Sequence, residues 1–143
     1  MELSYSVEVD VTLAFAWRYR TDVTTWNDPP ATFALEGAFQ RGARGTTLLP
    51  GQSPLHWQIA EVKPGESFTL EMPLDRATLS FEWRFEVLPG SRTKLTQRIV
   101  LAGENAESYA EQVKAGFGPN LEAGMKKLAA EMAAAAAAIP PVD

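Results

Sequence analysis

The chain has 143 residues, of which 45% are hydrophobic, 22% charged and 10% aromatic, a composition typical of a folded single domain rather than a disordered chain. The 18 acidic and 13 basic residues give a net charge of −5, which argues against a nucleic-acid partner. With no cysteine and one histidine, the chain can form no disulfide, zinc finger, iron–sulfur cluster or histidine-rich metal site. No metal and no cofactor are therefore expected.

The first part of the chain changes from a strand pattern to a helical one. Residues 4–11 alternate between polar and apolar side chains, which predicts a half-buried strand. Thr12 is a suitable N-cap for a short helix that contains Trp17, and a second short helix carries Trp26. Because the first residues lack the features of a signal peptide and no apolar run is long enough to span a membrane, we expect a cytoplasmic protein without stable membrane insertion.

Residues 32–102 alternate between apolar strand patterns and turn-forming residues. The predicted strands are Thr32–Phe39, Gly45–Leu49, Leu55–Val62, Ser67–Met72, Ala77–Leu88 and Arg92–Ala102. Glycine and proline dominate the short separators, among them Pro64–Gly65 and Pro89–Gly90. Consecutive strands joined by tight turns predict an antiparallel meander.

The last third of the chain has a helical pattern. Asn105 is a suitable cap, apolar residues recur every three or four positions from Tyr109 to Met132, and Pro119 predicts a kink or break. Residues 133–143 form an alanine-rich helical extension that ends in a proline-terminated tail. This extension either overhangs the sheet or packs on a partner, where it would support a homodimer.

The order of elements predicts an α+β fold. A sheet with one apolar face must cover that face, and the terminal helix is the only large element available for it. We therefore expect a curved antiparallel sheet of seven strands wrapped around a long C-terminal helix, with two short helices between the first and second strands.

Several short motifs carry a resemblance to a known superfamily. They are VTLAFAW at 11–17, TDV at 21–23 with Trp26 beyond, LEGAF at 35–39, IAEV at 59–62 followed by Pro64–Gly65, FEW at 81–83 and PGSRTKLT at 89–96. With these motifs residues 1–143 resemble a single domain of the START-like, or helix-grip, superfamily (SRPBCC), especially its polyketide cyclase/dehydrase and lipid-transport branch. The resemblance implies a deep, mainly apolar cavity between the sheet and the terminal helix, and it supplies no universal catalytic triad.

Strand parity and the implied cavity together give a set of candidate ligand-binding residues. They are Trp26, Phe39, Trp57, Phe68, Leu70, Phe81, Trp83, Gln97, Phe117 and Leu121. Gln97 is the polar exception on an apolar face, so it either orients a ligand or water, or bonds to the protein itself. Trp26 and Phe117 are predicted at the cavity mouth, and Val87 is predicted to face inward with the rest of its strand.

The sequence identifies no ionisable residue as a catalytic group. His56 has the parity opposite to Trp57 and is predicted to face solvent. Asp22 and Asp28 are typical turn and cap residues. Arg41 and Arg44 flank a turn, where they either contact an anionic ligand or are simply solvated.

Three functions stay open at this point. The leading one is binding of a small hydrophobic molecule, such as a lipid or a polyketide-like ring metabolite, in the apolar cavity. The alternative is a polyketide cyclase/dehydratase-type enzyme that uses the same cavity, since cyclisation can depend largely on proximity. The third is a co-chaperone-like or toxin-like interaction protein, which predicts a filled cavity and an exposed patch.

Overall fold

The computed structural model describes residues 1–139, which form a seven-stranded sheet, two α-helices and one 3-10 turn. The strands are β1 Glu2–Val9, β2 Thr32–Leu35, β3 Arg44–Leu48, β4 Leu55–Lys63, β5 Ser67–Leu74, β6 Ala77–Leu88 and β7 Arg92–Ala102, and the helices are α1 Leu13–Arg20 and α2 Ala106–Ala137. The second of the two predicted short helices is only the 3-10 turn Val23–Thr25.

The sheet has the strand order β1-β7-β6-β5-β4-β3-β2, and all of its neighbouring strands are antiparallel. The chain therefore runs as a meander from β2 to β7, and β1 adds to the far edge beside β7. Gly65 and Gly90 lie in two of the hairpin turns with φ of 75° and 79°, a left-handed conformation that glycine adopts at little cost. The predicted α+β helix-grip architecture is confirmed.

The structure differs from the predicted elements at the end of β2 and at Pro119, where the kink or break that was predicted is not a break. β2 ends at Leu35 instead of Phe39, because the backbone turns at Gly37 with φ of 76°. The helix α2 passes through Pro119 without a break. Proline removes the hydrogen bond to the carbonyl of Ala115, and both residues lie on the exposed side of α2, where water can replace the lost donor.

The two helix starts behave differently. Thr12 caps α1 as predicted, since its Oγ1 accepts a hydrogen bond from the backbone N–H of Phe15 at 3.2 Å. The Asn105 side chain makes no capping hydrogen bond to α2. Its Nδ2 instead donates to the carbonyl of Asp75 at 3.2 Å, and its Oδ1 accepts from Ser108 Oγ at 2.6 Å, so Asn105 ties the start of α2 to the β5–β6 turn.

The core consists of two clusters along α2. The first cluster joins α1, the middle of the sheet and the second half of α2, and its fully buried members include Ile59, Phe68, Leu95, Met125 and Met132. The second cluster joins the first half of α2 to β6 and β7 and contains Ala77, Leu79, Ile99, Leu101 and Val113. Val87, predicted to face inward, is 71% exposed because it lies at the hairpin end of β6, outside both clusters.

The alanine-rich extension continues α2 as far as Ala137. Ala133 and Ala136 pack against the first cluster, so this part of the extension lies on the core instead of overhanging it. The proline-terminated tail from residue 140 onward lies outside the described residues. Within residues 1–139, no helix is long and apolar enough to cross a membrane.

Candidate ligand-binding site

Aromatic side chains on the concave face of the sheet pack around Phe68 of β5, which is fully buried. Its ring centroid lies 5.0 Å from that of Phe39, 6.0 Å from that of Trp17 and 6.1 Å from that of Trp83. These separations are typical of favourable aromatic pairs. The structure therefore brings together three of the candidate residues, Phe39, Phe68 and Trp83, as a packed centre.

A second aromatic group lies towards the β2 edge of the sheet. Trp26, which follows the 3-10 turn, stacks on Trp57 of β4 with ring centroids 5.5 Å apart and contacts Phe33 of β2 at 5.4 Å. The indole N–H of Trp57 donates to Thr47 Oγ1 at 3.0 Å, and that of Trp26 donates to the carbonyl of Arg20 at 2.8 Å. Because both indoles have their hydrogen-bond partner in the protein, their orientation is fixed before any ligand arrives.

Gly45 explains the position of the Trp57 ring. Gly45 is the cross-strand partner of Trp57 on β3. A Cβ atom added at Gly45 would lie 2.2 Å from ring atoms of Trp57, which is far inside van der Waals contact. The absence of a side chain on β3 thus leaves the space that the indole occupies, and the ring lies flat enough on the sheet to stack with Trp26.

Arg20 is the polar group of this site, and it is not among the residues predicted from the sequence. Its guanidinium carbon lies 4.1 Å from the ring centroid of Trp83 and 4.6 Å from that of Trp26. Its Nε is buried without a hydrogen-bond partner, and no Asp or Glu of residues 1–139 forms an ion pair with it. The residue as a whole is half-buried, so it is not fully sealed from solvent.

The electrostatic state of Arg20 follows from this enclosure. Burial lowers the pKa of Arg20 to about 10, and the Tyr19 hydroxyl opposes this shift only in part. The guanidinium is therefore charged at neutral pH although no carboxylate neutralises it. Helical spacing could have predicted that Arg20 is covered. Ala16 is fully buried, and Arg20 lies one turn further on the same face of α1.

Gln97 lies half-buried on β7, between Trp83 of β6 and Tyr5 of β1 in the register of the sheet. It thus belongs to the same stretch of the sheet as the ring that contacts Arg20. The structure places a polar amide beside the aromatic group, as strand parity predicted, and gives it no assigned role.

The remaining candidates divide between the two clusters. Leu70 is buried in the first cluster, whereas Phe117 contacts Phe81 in the second cluster with ring centroids 5.4 Å apart. Leu121 and Phe81 touch both clusters. Trp26 and Phe117 therefore pack in different clusters, and their place at the mouth of a cavity stays a prediction.

A surface pocket of about 370 Å³ opens beside Trp26. Its lining comes from residues 23–33, which we call the Trp26 segment, and includes Val23, Trp26, Asn27, Pro29, Pro30 and Phe33. The Trp26 segment is held against α2 by exposed contacts, in which Lys127 Nζ donates to the carbonyl of Asn27 at 3.0 Å and Asn27 Nδ2 donates to Glu131 at 3.3 Å. Trp26 thus contacts the pocket as well as the Arg20 guanidinium.

A second surface pocket, of about 430 Å³, lies at the opposite end of α1. Asp10, Thr12, Phe15, Ser91, Ala136 and Ile139 are among its lining residues. None of the ten candidate residues contributes to it, so we assign it no part in the site.

Residues 1–133 match the protein family described as polyketide cyclase / dehydrase and lipid transport. The chain belongs to this family. No curated protein matches the chain in sequence. The family membership agrees with the resemblance that the sequence motifs carry.

Solved structures show the same fold at low identity. A protein from Nitrosomonas europaea superposes with a TM-score of 0.74 at 12% identity, covering 96% of this chain and 97% of its own. An aromatase/cyclase from Streptomyces gives 0.67 at 17% identity, with 92% and 93% covered. A truncated norcoclaurine synthase from Thalictrum flavum gives 0.70 at 11% identity, with 92% of each chain covered. At these identities the likeness shows a shared fold and leaves the activity open.

In this family member the other ionisable candidates lie outside the aromatic site. His56 is exposed, as its parity predicted, and so are Arg41, on the segment between β2 and β3, and Arg44, the first residue of β3. Asp22 caps the 3-10 turn, since its Oδ1 accepts from the N–H of Thr24 at 3.0 Å. The carbonyl of Asp28 accepts from the N–H of Ala31 at 2.9 Å, which confirms a turn.

Proposed function

We propose that the protein binds a small hydrophobic molecule at the aromatic group formed by Trp26, Trp57 and Trp83. A single observation carries the proposal: Trp26, which stacks on Trp57, and Trp83 both lie against a charged guanidinium that has no carboxylate partner in residues 1–139. Ligand sites are mostly apolar and contain a few polar groups that fix orientation. Membership of a family that includes lipid transport supports the same function.

The packing indicates where the molecule would bind. Phe68 is fully buried and packs against the rings of Trp17, Phe39 and Trp83, so its surface is already covered by protein side chains. Trp26, by contrast, is half-buried, borders the 370 Å³ pocket and is carried by a segment with exposed contacts to α2. We therefore place the ligand between the Trp26 segment and the sheet, with access from the pocket side.

Native mass spectrometry of gently purified protein, followed by titration with a fatty acid, a flavonoid and a polycyclic aromatic probe, tests the proposal. We expect one equivalent of a bound molecule or saturable binding of at least one probe. All four tryptophans belong to the first cluster, so the same titrations should change the tryptophan fluorescence.

Two matched variants locate the binding. Trp26→Leu should weaken it, whereas Tyr109→Leu, the same kind of change in the second cluster, should leave it within about twofold. Protein mass alone, with no uptake of any probe, would refute the proposal and favour the interaction protein with a filled core. The cytoplasmic location and the homodimer stay predictions, and the mass observed in native mass spectrometry also tests the homodimer.

The polyketide cyclase/dehydratase-type enzyme is the second candidate, and Arg20 favours it as well. A fixed cation in an enclosed site stabilises an enolate oxygen that develops during an aldol-type cyclisation. A poly-β-ketone substrate should then give a cyclised product faster than in buffer, and Arg20→Met should remove the acceleration. Binding without turnover of such a substrate would leave the protein as a carrier.

A further inference from the structure

We infer that Arg20 makes the site selective for an acid: the ligand carries an anionic oxygen, a carboxylate or an ionised phenol or enol, on an apolar body. This inference rests on the proposed function and deepens it by naming the chemical class of the ligand. The inference is based on geometry. The guanidinium lies against two tryptophan rings, and its Nε is buried without a hydrogen-bond partner.

The position of Arg20 is set by the fold. Arg20 is the last residue of α1, and its own carbonyl accepts the Trp26 indole N–H at 2.8 Å. The same residue therefore fixes Trp26 through its backbone and contacts Trp26 and Trp83 through its side chain. An acid that reached this guanidinium would lie against both rings.

Arg20 is enclosed, and yet no carboxylate of residues 1–139 pairs with it. The chain has 18 acidic residues, and Arg98 on the outer face of the sheet pairs with both Glu2 and Glu82. Arg20 forms no such pair with any residue from 1 to 139, and burial lowers its pKa to about 10. The charge is thus enclosed in a protein that has carboxylates in excess, and none of those in residues 1–139 pairs with it.

The tryptophan rings do not complete the hydrogen bonding of the guanidinium. A ring face attracts the positive charge, but it offers no lone pair in the plane of the five N–H donors. A carboxylate does, because its two oxygens match the guanidinium fork, and such pairs are strong where water is excluded. An ionised phenol or enol supplies one such oxygen. A hydrocarbon leaves the donors unpartnered, and the hydroxyl or ester oxygen of a neutral lipid accepts a hydrogen bond without neutralising the charge.

The test compares matched acids and neutral analogues. Isothermal titration of the wild-type protein with 2-naphthoic acid and its methyl ester, and with dodecanoic acid and dodecanol, measures the preference at pH 7. We expect the acid of at least one pair to bind roughly ten- to a hundredfold more tightly than its neutral partner, which is the range for a charged hydrogen bond.

Substitutions assign the preference to Arg20. Arg20→Met should abolish it while the affinity for the neutral compound changes little, and Arg20→Lys should retain part of it as a point charge. Arg18→Met is the matched control, because it removes the same charge from an exposed position two residues earlier on α1 and should keep the preference. If Arg20→Met does not fold, the inference is still tested by the acid preference of the wild type and by its partial retention in Arg20→Lys.

The outcomes separate the two proposals. The inference would be overturned if the wild type bound acid and neutral analogue equally, or if the acid preference survived in Arg20→Met. Arg20 would then have a structural role only, through its contacts with Trp26 and Trp83. The proposed function would then still stand on the measured binding. Absence of binding by every member of the panel would overturn the proposed function and the inference together.

Discussion

The two core clusters lie between the same sheet and the same helix α2, yet they differ in the kinds of side chain that they contain. The second cluster, around Leu79, Ile99, Leu101 and Val113, is built from apolar side chains of the kind that fill protein interiors. The first cluster contains all four tryptophans and encloses Arg20, whose Nε is the one buried side-chain N or O atom without a partner among residues 1–139.

We interpret this difference as a division of roles, in which the second cluster stabilises the fold and the first cluster contains the proposed binding site. Locally inconsistent features of natural proteins concentrate at functional sites, where a cost in stability is tolerated. A buried cation without a counter-ion is such a feature, and the second cluster has none. We therefore expect substitutions in the second cluster to alter stability alone and substitutions around Arg20 to alter binding most.

The largest effect on stability should come from the second cluster. Leu101 is 2% exposed, and Leu101→Ala should lower the free energy of unfolding by about 2–5 kcal/mol, because a cavity replaces the lost methyl groups. Urea denaturation measures this change, and ligand titration of the folded variant should give wild-type affinity. A loss below about 1 kcal/mol would show that the second cluster can collapse around the cavity.

A smaller effect is expected at Gly45, beneath the Trp57 ring. Gly45→Ala should push the indole off the sheet and destabilise the protein by about 1–3 kcal/mol, the usual range for overpacking. The near-ultraviolet circular dichroism should change as well, because Trp57 stacks on Trp26. Gly124→Ala is the control, since nothing lies within 4 Å of the added Cβ; in a helix it should stabilise by about 0.5–1 kcal/mol. An unchanged spectrum of Gly45→Ala would mean that the indole position does not depend on the glycine.

The elements that were predicted correctly are those determined by residues close together in the sequence. β6 and β7 were predicted with their observed bounds, because alternation and the turn at Pro89–Gly90 are both local signals. The cap at Thr12 is local too. Burial is not local: Val87 has the inward parity but lies beyond the core, and only the packing of the whole molecule reveals this.

The site was predictable in its apolar half only. Trp57 and Trp83 were found because large apolar side chains recur on the predicted inward faces of strands, and Trp26 as an aromatic residue next to the predicted short helices. Arg20 was missed because a basic residue in the last turn of a helix is a typical partner of the helix dipole and reads as a surface residue. The fully buried Ala16, one turn earlier, shows that this face of α1 is covered.

Arg20→Met should leave stability unchanged or raise it, in contrast to its expected effect on binding. Because the pKa of Arg20 in the folded protein, about 10, is below the unfolded value, the folded state disfavours the charge at every pH below 10. Methionine removes this penalty and keeps apolar contact with the tryptophans. The thermal midpoint at pH 7 should not fall; a clear fall would show that the cation–π contacts outweigh the burial of the charge.

The smallest effect is expected for Arg98, the exposed arginine that has the partners Arg20 lacks. Arg98 lowers the pKa of Glu2 through a side-chain hydrogen bond, so this pair stabilises the folded state above the ordinary glutamate pKa, about 4.3. The contribution disappears as the pH falls from there through the lowered pKa of Glu2 in the folded state. Stability curves of the wild type and Arg98→Met should therefore differ slightly at pH 7 and converge in acid. Both should bind ligand equally, because Arg98 lies on the outer face of the sheet. A loss of binding in Arg98→Met would mean that the ligand responds to the overall charge of the protein and not to the enclosed guanidinium of Arg20.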